Sequence, residues 1–276
     1  MKETFPDIDG FSPRNLDYMR QFSKTYANFK EIKDLITKVS WSHNLVLMSK
    51  IKDINERMWY IDNSVEYGWS RTMLIHHIET NLYDRSTKER KVHNFKKSLP
   101  SPQSDLAQQM LKDPYNFGFL TLAKKYKEKD LEEQLVHHIT NFLLELGTGF
   151  AFVGKQYPLE IGGDDYHIDL LFYHLKLRCY IVIELKADKF MPEYAGKLNF
   201  YLSAVDDLVK EDYDNPTIGI LLCATKDDVK AEYALKDINK PIGISQYDLS
   251  KAIPEDLKSS LPTIEEIESE IEEKFL

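Results

Sequence analysis

Two apolar runs in the second half of the chain have the pattern of neighbouring buried strands. Residues 167–186 read HIDLLFYHLKLRCYIVIELK, with a short polar stretch between the runs. Runs of this length and composition predict strands that are covered on both faces. Three charges interrupt them: Asp169 in the first run, and Glu184 and Lys186 in the second. Because a buried carboxylate without a partner is costly, these charges pair with one another or hold a ligand.

The expected register of the two strands favours a ligand. If the turn is centred on residues 176–177, Asp169 lies opposite Glu184, and Tyr173 lies opposite Tyr180. Two like charges that face each other across a sheet are destabilising, and a divalent cation between them reverses that sign. The turn contains no Gly or Asn that would fix this register from sequence alone.

A lysine is expected on the same sheet face as these carboxylates. Lys186 lies two positions beyond Glu184, so its side chain points to the same face of the sheet. Two carboxylates and an amine on one sheet face predict a hydrolytic metal centre.

The first 85 residues follow a helical pattern instead. Leu16, Met19, Phe22 and Tyr26 have the spacing of one helical face. Ser42 and Ser70 are the expected N-caps of later helices. Helices are predicted at 15–26, 29–39, from 42 through 51 with a continuation into NERMWYIDN, and 70–85. The short polar joints indicate an all-α bundle, with a helix-turn-helix unit as one arrangement.

The second half alternates helices and strands. An amphipathic helix, KEKDLEEQLVHHITNFLLELG, is predicted to end at Gly147. A bent strand or strand pair over 150–161 precedes the two apolar strands, and Pro192 begins the next helix. The remaining elements are predicted at 217–225 (strand), 229–238 (helix), 241–249 (strand) and 263–276 (acidic surface helix). This order predicts an α/β fold with a mixed central sheet that helices flank.

Prolines and serines cluster in residues 100–115, which is typical of a linker. The predicted domains are therefore a helical N-terminal domain over 1–99, a linker over 100–115 and an α/β domain over 116–276.

Composition limits the location of the protein. No apolar run is long enough for a membrane span, and the first residues lack an apolar signal region. Both cysteines, Cys179 and Cys223, lie inside apolar runs and are interpreted as buried, reduced core residues. These features predict a cytoplasmic protein with no membrane association.

Charge is unevenly distributed along the chain, whose net charge is −9. Residues 1–100 hold 17 basic and 13 acidic side chains, whereas the remainder holds 19 and 32. The most basic stretch, RSTKERKVHNFKK, is a solvated helix end and linker or an arm that contacts phosphates. On the second interpretation, the nucleic-acid contacts are Arg85, Lys88, Arg90, Lys91, Lys96 and Lys97.

The charged strand residues suit phosphodiester hydrolysis. Mg²⁺ prefers a few carboxylate oxygens and retained waters, and Asp169 and Glu184 could supply the oxygens. Lys186 could orient or deprotonate the attacking water, or neutralise charge that develops on the phosphate.

Neighbouring helices offer further site residues. Glu132 and Glu133 are candidates for an extra carboxylate, and Glu132 shares a helical face with Leu135, which would lay it against the sheet. Lys197 is a candidate for a nucleic-acid contact, since it lies on the helix after the strands. Asn199 and Tyr201 of the same helix, and Gln156 of the bent strand, are also placed to reach the site.

The spacing D-x(14)-E-x-K, between a helix that carries Glu and a following amphipathic helix, resembles the core of the PD-(D/E)XK nucleases. Longer phrases resemble the YhcG family of that superfamily, including CYIVIELK, PEYAGKLNFYLSAVDD and EYALKDINKPIGIS. In the first half, GFSPRNLDYMRQF and SWSHNLVLMSKIKD are similar to the helical N-terminal domain of the same family.

This resemblance implies a restriction-endonuclease-like core and a Mg²⁺-dependent nuclease that acts on DNA, with Mn²⁺ as a substitute. It puts Asp169, Glu184 and Lys186 in the motif positions, with Glu132 as the helix carboxylate. Asp169, Glu184 and Glu132 would then bind the metal.

Other interpretations are compatible with the sequence. The chain could be a module that binds nucleic acid or a protein complex and is inactive alone, and the three charges could be a purely structural cluster. A glycoside hydrolase with paired carboxylates fits less well, because Lys186 and apolar strands surround the pair. A homodimer that pools two basic faces, or a larger complex, would offset the acidic second half.

Overall fold

The computed structural model describes residues 12–27, 33–87, 91–123 and 125–249. The chain divides into two units, Met1–Tyr83 and Asp84–Leu276.

The first unit is helical in the part that the structure describes. Its helices are α1 (Pro13–Tyr26), α2 (Lys33–Ile36), α3 (Trp41–Lys50), α4 (Ile54–Tyr67) and α5 (Arg71–Glu79), and α6 (Leu82–Thr87) begins at its end. The core combines aliphatic and aromatic side chains, and Tyr60 is fully buried and packs edge-on against Trp59.

Short polar side chains begin most of these helices. Ser70 accepts a hydrogen bond from the backbone N–H of Met73, as predicted. The predicted cap at Ser42 is wrong, because Ser40 accepts from the N–H of His43 and the helix begins at Trp41. Asp53 then caps α4 as a separate helix rather than as a continuation of α3.

The second unit is built on a mixed sheet. Its strands are β1 (Val92–His93), β2 (Tyr115–Asn116), β3 (Phe150–Ile161), β4 (Asp164–His174), β5 (Cys179–Lys189), β6 (Ile218–Thr225) and β7 (Ile242–Asp248). Its helices are α7 (Phe95–Ser98), α8 (Gln103–Met110), α9 (Glu128–His137), α10 (Ile139–Leu146), α11 (Pro192–Leu208) and α12 (Asp228–Leu235).

The sheet has the order β1-β7-β6-β5-β4-β3, with β2 paired to β7. The strands from β3 to β5 form an antiparallel meander, whereas β5, β6 and β7 run parallel. Tyr173 pairs with Tyr180, and the ladder continues to Leu170 opposite Ile183, which confirms the predicted register. The next position in this register places Asp169 beside Glu184.

Helices cover both faces of the sheet. Leu131 of α9 and Phe142 of α10 pack on one face. On the other face, Leu198 of α11 approaches the backbone of β6 closely, since a Cβ atom on Gly219 would lie 2.9 Å from its side chain. The absence of a side chain at Gly219 therefore sets how near α11 lies to the sheet.

Two features of the second unit differ from the sequence predictions. The helix predicted to end at Gly147 does end there, but His138, with φ −102° and ψ 38°, divides it into α9 and α10. Residues 100–115, predicted as a linker, contain α8 and the fully buried Leu111 and Tyr115, because apolar side chains in this segment pack into the sheet's core.

The unit boundary accordingly falls earlier than the predicted one. The strand β1 at Val92–His93 pairs with β7, so the chain already belongs to the second unit there. The acidic helix predicted at 263–276 lies outside the described residues. Over the ranges that the structure covers, no helix has the length and apolar character needed to cross a membrane.

Candidate active site

Glu184 lies at the centre of the candidate site. Side chains alternate along β5, so Glu184 and Lys186 share the face that Val182 presents to the layer of α11 and α12. Glu184 is fully buried, and its Oε1 accepts hydrogen bonds from Lys186 Nζ at 3.1 Å and from Lys197 Nζ at 2.5 Å. Its Oε2 is also buried, and among the described residues it has no hydrogen-bond partner.

Asp169 lies beside Glu184 on β4. Its Oδ2 accepts a hydrogen bond from the backbone N–H of Leu185 at 2.9 Å, which fixes the carboxyl group at the junction of β4 and β5. Burial, followed by the charge of Glu184, raises the pKa of Asp169 to about 7. The site therefore holds two carboxyl groups that repel each other in the absence of a cation.

Lys186 is held by several groups at once. Its Nζ donates to Glu128 Oε2 at 3.1 Å and to the carbonyl oxygen of Leu185 at 2.9 Å, in addition to Glu184. Burial alone would lower the pKa of Lys186, but the charge of Glu184 and the hydrogen bonds to Glu184 and Glu128 outweigh it, and the pKa is raised. The ammonium form is consequently the stable form in this arrangement.

Two tyrosines support the backbone of β5. Tyr247 of β7 donates its hydroxyl hydrogen to the carbonyl oxygen of Lys186 at 3.1 Å. The same hydroxyl lies 2.9 Å from that of Tyr126, just before α9. This chain of contacts joins β5 and β7 to the segment that leads into α9.

Glu132 is buried, and its carboxylate contacts β3. Gln156 Nε2 donates a short hydrogen bond to Glu132 Oε2. Gln156 has a φ of 45°, in the left-handed region that non-glycine residues rarely adopt, and it interrupts the ladder between β3 and β4 opposite Asp169. Gln156 thus contacts the helix carboxylate from the strand position opposite Asp169.

The three carboxylates predicted to bind one metal are not grouped together. Within the described ranges, no set of three or more His, Cys, Asp or Glu side chains lies close enough to hold an ion. Glu132 does not join such a group because its carboxylate accepts a hydrogen bond from Gln156. Asp169 and Glu184 nevertheless fit a hard divalent cation, because Glu184 offers a buried oxygen with no partner and Mg²⁺ commonly takes one or two carboxylates.

The predicted nucleic-acid contacts have different environments. The assignment of Arg85 is wrong, because its guanidinium is buried and forms a short ion pair with the fully buried Glu145. Lys91 is half-buried, and its Nζ donates to the carbonyl oxygen of Gln108 at 3.1 Å. Lys96 and Lys97 are exposed, whereas Lys88 and Arg90 lie outside the described residues.

Lys197, also predicted to contact nucleic acid, contacts Glu184 instead in this structure. Its ammonium lies 5.1 Å from the centre of the Tyr201 ring, which is buried beneath it. Asn199 is half-buried on the same helix.

Sequence analysis missed Glu128. It lies four residues before Glu132, so the two side chains share one face of α9, and this spacing was visible in the sequence. The same segment carries exposed lysines that sequence analysis also passed over, namely Lys125, Lys127 and Lys129.

Comparisons with known proteins identify the family of the chain. The family described as YhcG PDDEXK nuclease domain matches residues 108–262, and the DUF1016 N-terminal domain matches residues 1–85. A protein of Escherichia coli K12 described as "Putative nuclease YhcG" is 34% identical over 226 residues, which is 80% of this chain and 60% of that protein. The chain thus spans about 60% of the length of this curated relative.

Two solved structures are similar over part of the chain. A repair endonuclease from Pyrococcus abyssi matches with a TM-score of 0.31 and 16% identity, over 47% of this chain and 50% of that one. The EndoMS–dsDNA2 complex matches with a TM-score of 0.32 and 17% identity, over 46% of this chain and 45% of that one.

Proposed function

This chain belongs to the YhcG family of PDDEXK nucleases, and from that membership we propose that it hydrolyses phosphodiester bonds in DNA with Mg²⁺ or Mn²⁺. Asp169 and Glu184 would hold the metal ion, and Lys186 would stabilise negative charge on the reacting phosphate.

The observation that carries this proposal is the state of Glu184. A fully buried carboxylate with one unpartnered oxygen is costly to maintain. Asp169 adds a second carboxyl group beside it on the neighbouring strand. A divalent cation would satisfy the unpartnered oxygen and offset the repulsion between the two groups.

The contacts of Lys186 favour an electrostatic role over a basic one. A bound metal ion would supply an activated water and charge neutralisation at the phosphate. Lys186 already donates to two carboxylates and one carbonyl oxygen, which stabilises its charged form. A charged lysine cannot accept a proton from water, so we assign it to the phosphate rather than to deprotonation of the nucleophile.

Glu132 and Gln156 would act together at the edge of this centre. Gln156 holds Glu132 from one side and lies opposite Asp169 on the other. In this role, Glu132 would contact the waters that remain on the metal ion rather than the ion itself. This assignment is compatible with the separation of Glu132 from the other two carboxylates.

We propose that only part of the basic segment, residues 85–97, contacts nucleic acid. Lys96 and Lys97 are exposed and suited to contact phosphates, as are Lys88 and Arg90 by their charge. We also retain a reducing cytoplasmic location, since Cys179 and Cys223 are buried free thiols. A homodimer that pools basic surfaces remains part of the proposal.

The test is a cleavage assay on the purified full chain. Supercoiled, linear and single-stranded DNA, and RNA, are incubated with Mg²⁺, Mn²⁺ or EDTA. Asp169→Asn, Glu184→Gln and Lys186→Met should each reduce cleavage by about 100-fold or more, since removal of charged groups at such centres has effects of this order. Glu160→Gln is the matched control, because Glu160 is an exposed carboxylate on β3.

Two results would overturn the proposal. The first is a wild-type chain that cuts no form of nucleic acid with either metal. The second is an Asp169→Asn variant that cuts as fast as the wild type, which would indicate a contaminating nuclease. Tight, salt-dependent DNA binding without cleavage, unchanged in Asp169→Asn, would instead select the binding-module alternative.

A further inference from the structure

Lys197 occupies an unusual position for a substrate-binding lysine. Its ammonium lies on Glu184 Oε1, the same oxygen that accepts a hydrogen bond from Lys186. Glu184 therefore has one oxygen with two cationic donors and one buried oxygen that accepts no hydrogen bond from the part of the chain that the structure describes. A residue that served only to bind DNA would not need to contact the central carboxylate of the site.

Packing of α11 fixes this position. Leu198 and Leu202 follow Lys197 on the same helix and pack closely over Gly219 of β6. This contact brings α11 near the sheet, and the ammonium of Lys197 lies over the ring of Tyr201. The ammonium is thereby directed at β5 by the helix itself and not by a flexible loop.

Glu184 is neutralised without a metal ion. Lys186 and Lys197 both place their ammonium groups on Glu184 Oε1, and Lys186 also pairs with Glu128. A divalent cation adds two positive charges to this set. Because like charges in a buried site repel strongly, one ammonium must withdraw for the cation to bind well.

The two lysines differ in how easily they can leave. The side chain of Lys186 is 6% exposed and also bonds to Glu128 and to the carbonyl oxygen of Leu185. The side chain of Lys197 is 45% exposed, so its ammonium can turn into solvent at the cost of its contacts with Glu184 and Tyr201 alone among its described partners. Lys197 is therefore the lysine whose ammonium can leave Glu184 more easily.

We propose that Lys197 is a positioning residue that controls metal loading: it neutralises Glu184 in the metal-free chain and withdraws when a divalent cation binds. The inference rests on the proposed function in one respect, namely that Asp169 and Glu184 form the metal site. Once withdrawn, the Lys197 ammonium lies at the mouth of the site and is free to contact a phosphate. Metal binding and phosphate binding are then coupled through one side chain, in both directions.

The test measures metal binding without any nucleic acid. Mn²⁺ is titrated calorimetrically into the full-length wild-type chain and into Lys197→Met, which keeps the length and apolar stem of the side chain and removes its charge. We expect Lys197→Met to bind Mn²⁺ about fivefold more tightly or better, in the range of typical coupling between sites. Lys197→Arg, which restores the charge, should return the affinity to within about twofold of the wild type.

A matched control separates this effect from general electrostatics. Lys155 is an exposed lysine on β3, and Lys155→Met removes the same charge from the surface of the same unit. We expect its Mn²⁺ affinity to equal that of the wild type. Thermal unfolding with EDTA should also show a lower melting temperature for Lys197→Met than for the wild type, because Glu184 then loses one of its two cationic partners. If Lys197→Met fails to fold, Lys197→Gln replaces it.

The possible outcomes distinguish the two proposals. Unchanged or weaker Mn²⁺ binding by Lys197→Met, with cleavage by the wild type intact, overturns the role of Lys197 alone. Tighter binding by the variant together with no cleavage by the wild type overturns only the nuclease assignment. A wild-type chain that binds no Mn²⁺ overturns both.

Discussion

Replacing Arg85 by methionine should destabilise the second unit strongly. The guanidinium of Arg85 forms two hydrogen bonds with the carboxylate of Glu145, which is fully buried, and a third with the carbonyl oxygen of Pro114 at 3.1 Å. Methionine keeps much of the buried apolar stem but removes the charge and all of these donors. Glu145 then remains as a buried carboxylate without its cation.

The size of the effect follows from the remaining partners. Breaking a buried ion pair by removing one partner costs about 3–5 kcal/mol. We expect the lower end, about 3 kcal/mol, because the backbone N–H of Asn116 still donates to Glu145 Oε1 at 2.9 Å. The ammonium of Lys112 also stays nearby, on the backbone carbonyl oxygen of Glu145. A loss of this size is a large fraction of the stability of an ordinary domain.

Urea unfolding monitored by circular dichroism measures this loss. The decisive comparison is the double variant Arg85→Met with Glu145→Met, which removes both charges and should be more stable than Arg85→Met alone, since apolar replacement of a whole buried pair is often nearly neutral. Lys96→Met is the control for the loss of an exposed positive charge from the same segment. An Arg85→Met variant within about 1 kcal/mol of the wild type, or a double variant no more stable than the single one, would refute the reasoning.

Two further predictions concern the site and its supporting helix. Without metal, stability should fall as the pH rises from about 4 to about 7, because burial holds Asp169 protonated up to a pKa of about 7 whereas the unfolded chain ionises it near 4. Asp169→Asn should remove this dependence, and urea titrations with equal pH slopes for the variant and the wild type would contradict it. Gly219→Ala should cost about 1–3 kcal/mol and alter Mn²⁺ affinity, because its Cβ would lie 2.9 Å from Leu198 and displace α11. Gly196→Ala, in the same helix with nothing within 4 Å, should instead stabilise the chain by about 0.5–1 kcal/mol in thermal unfolding.

The hairpin of β4 and β5 was predictable from the sequence because its information is local. The apolar runs defined the strands, and the central turn then determined which residues face each other. Tyr173 does pair with Tyr180, and Leu170 with Ile183, as a turn centred on residues 176–177 requires. Helix ends marked by Ser70 and Gly147 were predictable for the same reason, since their signals lie within one turn of the helix end.

Features that depend on distant partners were not predictable. The sequence shows Arg85 inside a basic stretch, but its partner Glu145 is 60 residues away, and only the fold brings them together. The segment 100–115 has the composition of a linker, yet Leu111 packs into the core of a sheet whose strand β7 begins at Ile242. The division of a continuous apolar stripe at His138 also leaves no local signal, because the stripe itself continues on both sides.

The same distinction applies within the candidate site and explains its two lysines. Sequence spacing could place Lys186 with the two carboxylates, but the contact between Lys197 and Glu184 depends on how α11 packs over Gly219. Two ammonium groups on Glu184 offset the cost of burying its charge in the absence of metal. We expect the same ammonium groups to oppose the binding of a divalent ion. In the proposed mechanism, exposure decides between the two lysines: the buried Lys186 would stay to act on the phosphate, and the exposed Lys197 would withdraw, so that its charge would set how tightly the site binds metal.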